Sequence, residues 1–384
     1  MKTTPLLTAH AAALFAFIVP LCGHASPPQY TVTILDDNYY SSTFFGGYLT
    51  GLNNSGQFAG YVSGYTSTYP YYPTTFPIRI TGTSTAILNN FGIFGSQTAG
   101  INDFGQITGN STSADGLNVY AVRWVGTSPV RLFGLGGTSD TGIGINASGQ
   151  VAGISNLTGD DAYHAVRWNT RFPTDLGTLG GQSSSGFAIN ASGQVAGESQ
   201  IAPDSSDFHA VRWTGTAHQD LGTLGGPNSS GVGINNAGQV IGWADSVTRG
   251  DRRAVRWDGT TPTELGDLGG SESYATAINN SGDIIGMSAN PYGGNFRQAF
   301  LYNEDTMYDL NTLLVPGSQV FRLDVTNSGA GINDGGQILA MAEFFLGPIG
   351  GPHLVRLDPV VVPEPASAVL LLGGAALLGL RRRR

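Results

Sequence analysis

Six histidines, a single cysteine and 27 carboxylates are the reactive groups of this 384-residue chain. His164, His209 and His353 share one setting, each directly before an Ala-Val-Arg-Trp run or a relative of it. Imidazoles at one level of a ring could hold a metal. Arg253 and Gln298 stand at the same place in other copies, which favours packing and hydrogen bonding at a strand start. His218 lies outside the pattern, and a lone loop histidine is a weak general-base candidate. Asp175, Asp220 and Glu264 follow Arg167, Arg212 and Arg256 by eight residues, a spacing that predicts cross-strand arginine–carboxylate pairs. Two copies break the pairing, with Arg131 opposite Arg123 and Asp309 opposite Leu301. No nucleophile elbow, His-Glu-x-x-His or P-loop occurs, so no catalytic residue is assigned. The acidic pairs Asp36-Asp37 and Asp160-Asp161 sit in no calcium-loop motif, and no Ca2+ or other cofactor is assigned. Aromatic side chains with polar tips suit sugar stacking or protein contacts. The segment holding Tyr61, Tyr65, Tyr69, Tyr71 and Tyr72 is therefore the candidate ligand-binding loop, unless it only covers a sheet edge.

What positions these residues is a repeat. Asn-x-x-Gly-Gln, or a close variant, begins at Asn53, Asn102, Asn146, Asn190, Asn235, Asn279 and Asn333. Ala-Val-Arg-Trp recurs at 121–124, 165–168, 210–213 and 254–257, with looser copies at 77–80, 299–302 and 354–357. Asp-Leu-Gly-Thr-Leu-Gly-Gly fills 175–181 and 220–226, with 264–270 close to it. Each unit reads as four short strands; from His164 they are 165–168, 174–176, 186–189 and 194–198. Asn190-Ala191-Ser192-Gly193 fits a type I turn with a left-handed glycine, which makes the last two strands a bulged hairpin.

A period near 44 with four strands fits a β-propeller blade. The expected fold is all-β, a propeller of seven four-stranded blades. The segment 31–35 resembles the Asp-Leu-Gly strand, and 353–357 is a lone Ala-Val-Arg-Trp-like strand. Pairing of the two would close the ring with one blade drawn from both termini, removing an exposed edge. An open β-solenoid is the alternative.

Composition agrees. Glycine is 57 of 384 residues, about twice the usual share, and charged residues are 12%, about half the usual share. That excludes helical bundles, because glycine costs about 1 kcal/mol per helix position. The net charge of −9 gives no basic excess to neutralise phosphates, so no nucleic-acid partner is expected.

Both ends read as targeting signals. Lys2, the apolar run 11–21 and Gly23-His24-Ala25 form a secretory signal over residues 1–25, with a helix through its apolar part. The sole cysteine, Cys22, would leave with it, so the mature chain would have no thiol. At the far end, Pro363-Glu364-Pro365 precedes an apolar helix over 366–380 and then Arg381, Arg382, Arg383 and Arg384. Four arginines hold such a tail on the cytoplasmic side. Signal and tail carry five of the 18 basic and one of the 27 acidic residues, so without them the charge is about −13.

This tail, residues 360–384, resembles the PEP-CTERM sorting signal of exopolysaccharide-producing Gram-negative bacteria. The resemblance implies secretion, transient inner-membrane anchoring and cleavage by an exosortase that recognises Pro363-Glu364-Pro365. The repeats, over residues 26–359, resemble the HAF-repeat family of bacterial extracellular proteins, with His164–Trp168 and His209–Trp213 matching its opening. That resemblance implies a fold and a secreted or cell-surface setting, and carries no catalytic residue. The expected function is binding or scaffolding, with exopolysaccharide or biofilm matrix as partner. The alternatives are a polysaccharide-active glycosidase or lyase, needing an acidic pair at the ring's mouth, and a protein–protein adaptor using the Tyr-rich loop.

Overall fold

The computed structural model describes residues 27–35, 44–65, 73–92, 94–247, 250–290, 297–325, 331–345 and 353–360. The signal segment, the Pro-Glu-Pro tail with its arginines, Tyr69, Tyr71, Tyr72 and Asp36-Asp37 lie outside them, and so do both expected terminal helices. Among the described residues no helix is long and apolar enough to cross a membrane.

Strands build a β-propeller of four-stranded antiparallel meanders. One sheet runs Ser184–Ile189, Val195–Gln200, Phe208–Thr214 and Ala217–Gly222, in chain order from one edge to the other. The repeat as written in sequence is not the structural unit. Its first two strands end one sheet and its last two begin the next. The Gly-Thr-Leu-Gly-Gly link makes the crossing, with the Leu179 N–H donated to the Ser199 hydroxyl of the next sheet at 2.8 Å.

Seven separate sheets were expected, and the pairing differs. Among the described residues five sheets are separate and four-stranded, and one has eight strands. The eight-stranded sheet consists of two meanders, from Ser96–Ile101 to Ser128–Leu132 and from Gly136–Ile145 to Pro173–Asp175. They are joined by a parallel pairing of Ser139 with Val119. The long strand Gly136–Ile145 reaches back far enough to make that contact.

The first and last described strands meet as the sequence implies. Gln29–Ile34 pairs antiparallel with His353–Val360, placing Thr33 opposite Arg356 and Ile34 opposite Val355. The closing sheet takes three strands from the C-terminal side and one from the N-terminal side. The longer segment after Tyr308 anchors it. Asp309 caps a short 3-10 turn, Leu310–Leu313, and the Val315 N–H donates to the Tyr30 carbonyl at 2.9 Å. Tyr30 is buried there, and burial raises its phenol pKa.

The core lies between neighbouring sheets. Ala121 and Leu132 of one meander pack on Val151, Val166 and Trp168 of the next, and comparable clusters follow around the molecule. Leu339 and Leu354 of the closing sheet pack on Leu49, Phe58, Val62 and Ile78 of the first. Trp124, Trp168, Trp213 and Trp257 are fully buried. At roughly 25 cal/mol per Å2 of apolar surface, these indoles are among the largest single contributions to stability. The Trp168 indole N–H also donates to the Phe133 carbonyl of the preceding meander at 2.8 Å.

Candidate functional site

The Asn-x-x-Gly-Gln turns converge on the molecular axis. Within each turn the asparagine carboxamide works in three directions. In the turn after Ser184–Ile189, Asn190 Oδ1 accepts the Gln194 N–H at 3.0 Å. Its Nδ2 donates to Gln194 Oε1 at 2.8 Å and to the Asn235 carbonyl of the neighbouring sheet at 3.1 Å. Gly193 supplies the left-handed residue (φ 77°), and its N–H returns to the Asn190 carbonyl at 3.0 Å. Asp283 replaces the glutamine in the sixth copy and accepts from Asn279 Nδ2 at 2.8 Å.

The bond to the next meander repeats without a break. Asn53 donates to Asn102, Asn102 to Asn146 and Asn146 to Asn190, each at 2.9 Å. Asn235 donates to Asn279 at 3.4 Å, Asn279 to Asn333 at 3.3 Å, and Asn333 returns to the Asn53 carbonyl at 3.2 Å. Seven buried asparagines thus form a closed circle of hydrogen bonds, its last link spanning 280 residues of chain. Buried amides need partners, and the circle supplies them.

Above the circle lies a cavity of about 220 Å3. Its wall is the ring of Leu52, Ile101, Ile145, Ile189, Ile234, Ile278 and Ile332 with the asparagines, and its rim is the residue after each asparagine. Those rim residues are Asn54, Asp103, Ala147, Ala191, Asn236, Asn280 and Asp334. Asn54 Nδ2 donates to Asp103 Oδ2 at 3.1 Å and to Asp334 Oδ2 at 3.0 Å, so two carboxylates flank one amide at the mouth. Sequence reasoning missed these residues. The signal was present as the first of two variable positions between the constant asparagine and glycine of the turn.

The residues singled out by sequence lie elsewhere. His164 Nδ1 is 2.9 Å from the Asp175 carboxylate, and His209 Nδ1 is 2.9 Å from that of Asp220. These pairs join the third and fourth strands of their sheets, away from the cavity wall. His353 packs edge-on against Phe344. The structure does not bring the three histidines together, and among the described residues no group of three His, Cys, Asp or Glu side chains converges as a metal site.

The predicted arginine–carboxylate pairs at Asp175 and Asp220 are corrected. Register places Arg167 opposite Thr174 and Val166 opposite Asp175, so arginine and aspartate point to opposite faces. Arg79, Arg123, Arg167 and Arg212 instead donate to the carbonyls of Gly105, Gly149, Gly193 and Gly238, in the turn of the next meander. Arg256 turns to Asp258 at 3.0 Å rather than Glu264. Glu264 faces Arg253 instead, at 3.7 Å, and the buried Arg253 also holds Asp267 at 2.7 Å.

Of the Tyr-rich segment, Tyr61 and Tyr65 are described. Tyr61 stands opposite Tyr48 with ring centroids 5.3 Å apart, and Tyr48 and Tyr65 are exposed. Two carboxyls are perturbed by burial, the half-buried Glu198 and the buried Asp140. Burial raises the Glu198 pKa against the lowering contributions of Ser230 and Arg252. Burial likewise raises that of Asp140, which accepts from Ser155 Oγ at 2.6 Å.

No protein-family model matches the chain, and no curated protein matches it. Solved structures do. The acylaminoacyl peptidase of Pyrococcus horikoshii is 10% identical with a TM-score of 0.45, over 82% of this chain and 52% of that one. The putative TolB of Agrobacterium tumefaciens is 10% identical with a TM-score of 0.42, over 88% and 100%. The β-propeller domain of the Trilobed protease from Pyrococcus furiosus, of open velcro topology, is 8% identical with a TM-score of 0.55, over 83% and 94%. What that last likeness establishes is the fold: this chain is a β-propeller.

Proposed function

We propose that the chain is a secreted, exosortase-sorted propeller of seven blades, with the eight-stranded sheet counted as two, that works in binding or scaffolding at the cell surface. Exopolysaccharide or biofilm matrix is the proposed partner. One observation carries the binding reading. The repeated polar side chains are absorbed in joining sheets, the asparagines above all, while the rim of an open cavity varies from copy to copy. A uniform frame with a variable mouth is the arrangement of a binding scaffold. The sorting part rests on Pro363-Glu364-Pro365, the apolar run and the four terminal arginines. Alanine at all three Pro-Glu-Pro positions is expected to leave the protein in the membrane fraction at its unprocessed mass.

A polysaccharide-active enzyme is the second reading, and Asp103 with Asp334 favours it, since a glycosidase needs two carboxyls at one site. Against it, each of these carboxylates already accepts amide or backbone N–H groups that hold the rim together. The adaptor reading rests on exposed Tyr48 and Tyr65. The test is a glycan-binding screen with hydrolysis followed on the same sugars. Binding without turnover supports the scaffold, turnover that disappears in Asp334→Asn supports the enzyme, and silence on both leaves the adaptor.

A further inference from the structure

The rim is a second circle of hydrogen bonds, and it is incomplete. At five joints the backbone N–H of a rim residue donates to the side-chain oxygen of the next rim residue. Asn54 donates to Asp103, Ala191 to Asn236, Asn236 to Asn280 and Asn280 to Asp334, each at 2.9 Å, and Asp334 to Asn54 at 2.8 Å. At the two remaining joints the acceptor position holds a methyl group, because residues 147 and 191 are alanines. The N–H groups of Asp103 and Ala147 therefore lack the rim acceptor that their five counterparts have. The two joints are consecutive, so they form one gap on one side of the mouth.

We propose that this gap binds the end of a neutral sugar, an inference that rests on the binding reading above and names its ligand class. Two N–H donors call for oxygen acceptors. The rim carries two carboxylates, and among the described residues no basic side chain lines the cavity, so an anionic acceptor is disfavoured. A hydroxyl meets both demands, since it accepts from an N–H and donates to a carboxylate or carbonyl. Phe104 adds an independent observation. It follows Asp103 in the same turn, is 77% exposed, and is the aromatic residue at a position held elsewhere by Ser, Ala or Gly. Its ring is not part of the cavity lining, but one residue from Asp103 and uncovered it offers the apolar face of a sugar held at the rim a stacking partner. The cavity, at about 220 Å3, is smaller than the ~300–1,000 Å3 of pockets for drug-sized ligands, which suits one sugar ring rather than a chain.

The test is calorimetric titration of the full chain with methyl glycosides of neutral hexoses, with glucuronate and glucosamine as charged comparisons. Retention on immobilised dextran, a neutral polysaccharide, is measured in parallel. The variants are Ala147→Asn with Ala191→Asn, which completes the rim, and Phe104→Ala. A neutral glycoside is expected to bind, tenfold or more weakly in the completed-rim protein at an equal or higher Tm, and severalfold more weakly in Phe104→Ala. Unchanged binding in both variants, or a preference for glucuronate, overturns the inference while leaving the binding reading in place. Polysaccharide retention without any glycoside binding does the same. Loss of both signals in the unaltered protein overturns both.

Discussion

Asn190 shows how much one side chain settles in this molecule. It closes its own turn, orients Gln194 and reaches the Asn235 backbone, all while 3% exposed. Orphaning a buried polar partner costs about 1–3 kcal/mol. Asn190→Ala is therefore expected to lose at least about 2 kcal/mol in denaturant unfolding, and Asn190→Asp nearly as much, because the two Nδ2 donations go. The turn was legible in sequence, since Asn at its first position and a left-handed glycine at its fourth are local preferences. The bond to the neighbouring sheet was not, because its partner lies 45 residues away and depends on how sheets pack. Asp140 carries the opposite lesson. It stands where Ser184 and Ser229 accept the N–H groups of Ala165 and Ala210 in other sheets. Its raised pKa means the folded state holds the proton to higher pH than the unfolded chain does. Stability contributed by this site therefore falls as pH rises above the ordinary carboxylate range. Asp140→Ser is expected to be more stable than the unaltered protein at pH 7, with the difference shrinking towards pH 3.

At the scale of strands, register decides which residues meet. The strand boundaries from sequence overlapped the observed ones, as 165–168 does Tyr163–Trp168. The arginine pairing failed because a count of eight residues does not fix which positions face each other, and a one-residue offset moves a side chain to the other face. What register creates is a cross-strand clamp whose members change together within the chain. It is His164 with Asp175, His209 with Asp220, Gln298 with Asp309 at 3.0 Å, and Arg131 stacked 3.5 Å over the Tyr120 ring. Since glutamine serves in the place of histidine, His209→Gln is expected to keep stability within about 0.5 kcal/mol, as for other exposed pairs. A metal role for the histidine would instead show as a metal-dependent Tm lost in that variant. Arg212→Met is expected to lose about 1–2 kcal/mol, because the Gly238 carbonyl of the next sheet and Gln219 both lose a charged donor.

At the scale of the molecule, the glycine excess and the low charge have one origin. Left-handed turn glycines recur in every sheet, as at Gly105, Gly149, Gly193 and Gly238. Sheets packed against neighbours on both faces leave few positions for solvated charge. The fold class was legible because a repeat writes the same local physics many times. The fusion of two meanders through Ser139 and Val119 was not, because a single extended strand decides it. The mouth stayed hidden because its parts come from seven distant turns. The central claim is that the first and last described strands close one ring, so that rim and cavity form a continuous frame. Gln29 and Val360 are directly opposite in the closing sheet. Opposed Cα atoms in an antiparallel pair are about 4.5–5.5 Å apart, within disulfide range. The decisive measurement is oxidation of a Gln29→Cys, Val360→Cys protein in which Cys22 is replaced by serine, followed by denaturant unfolding. The closed ring predicts quantitative cross-linking and a gain of about 2–4 kcal/mol on oxidation. Thiols that stay free under oxidant, or a cross-link that lowers stability, would contradict it.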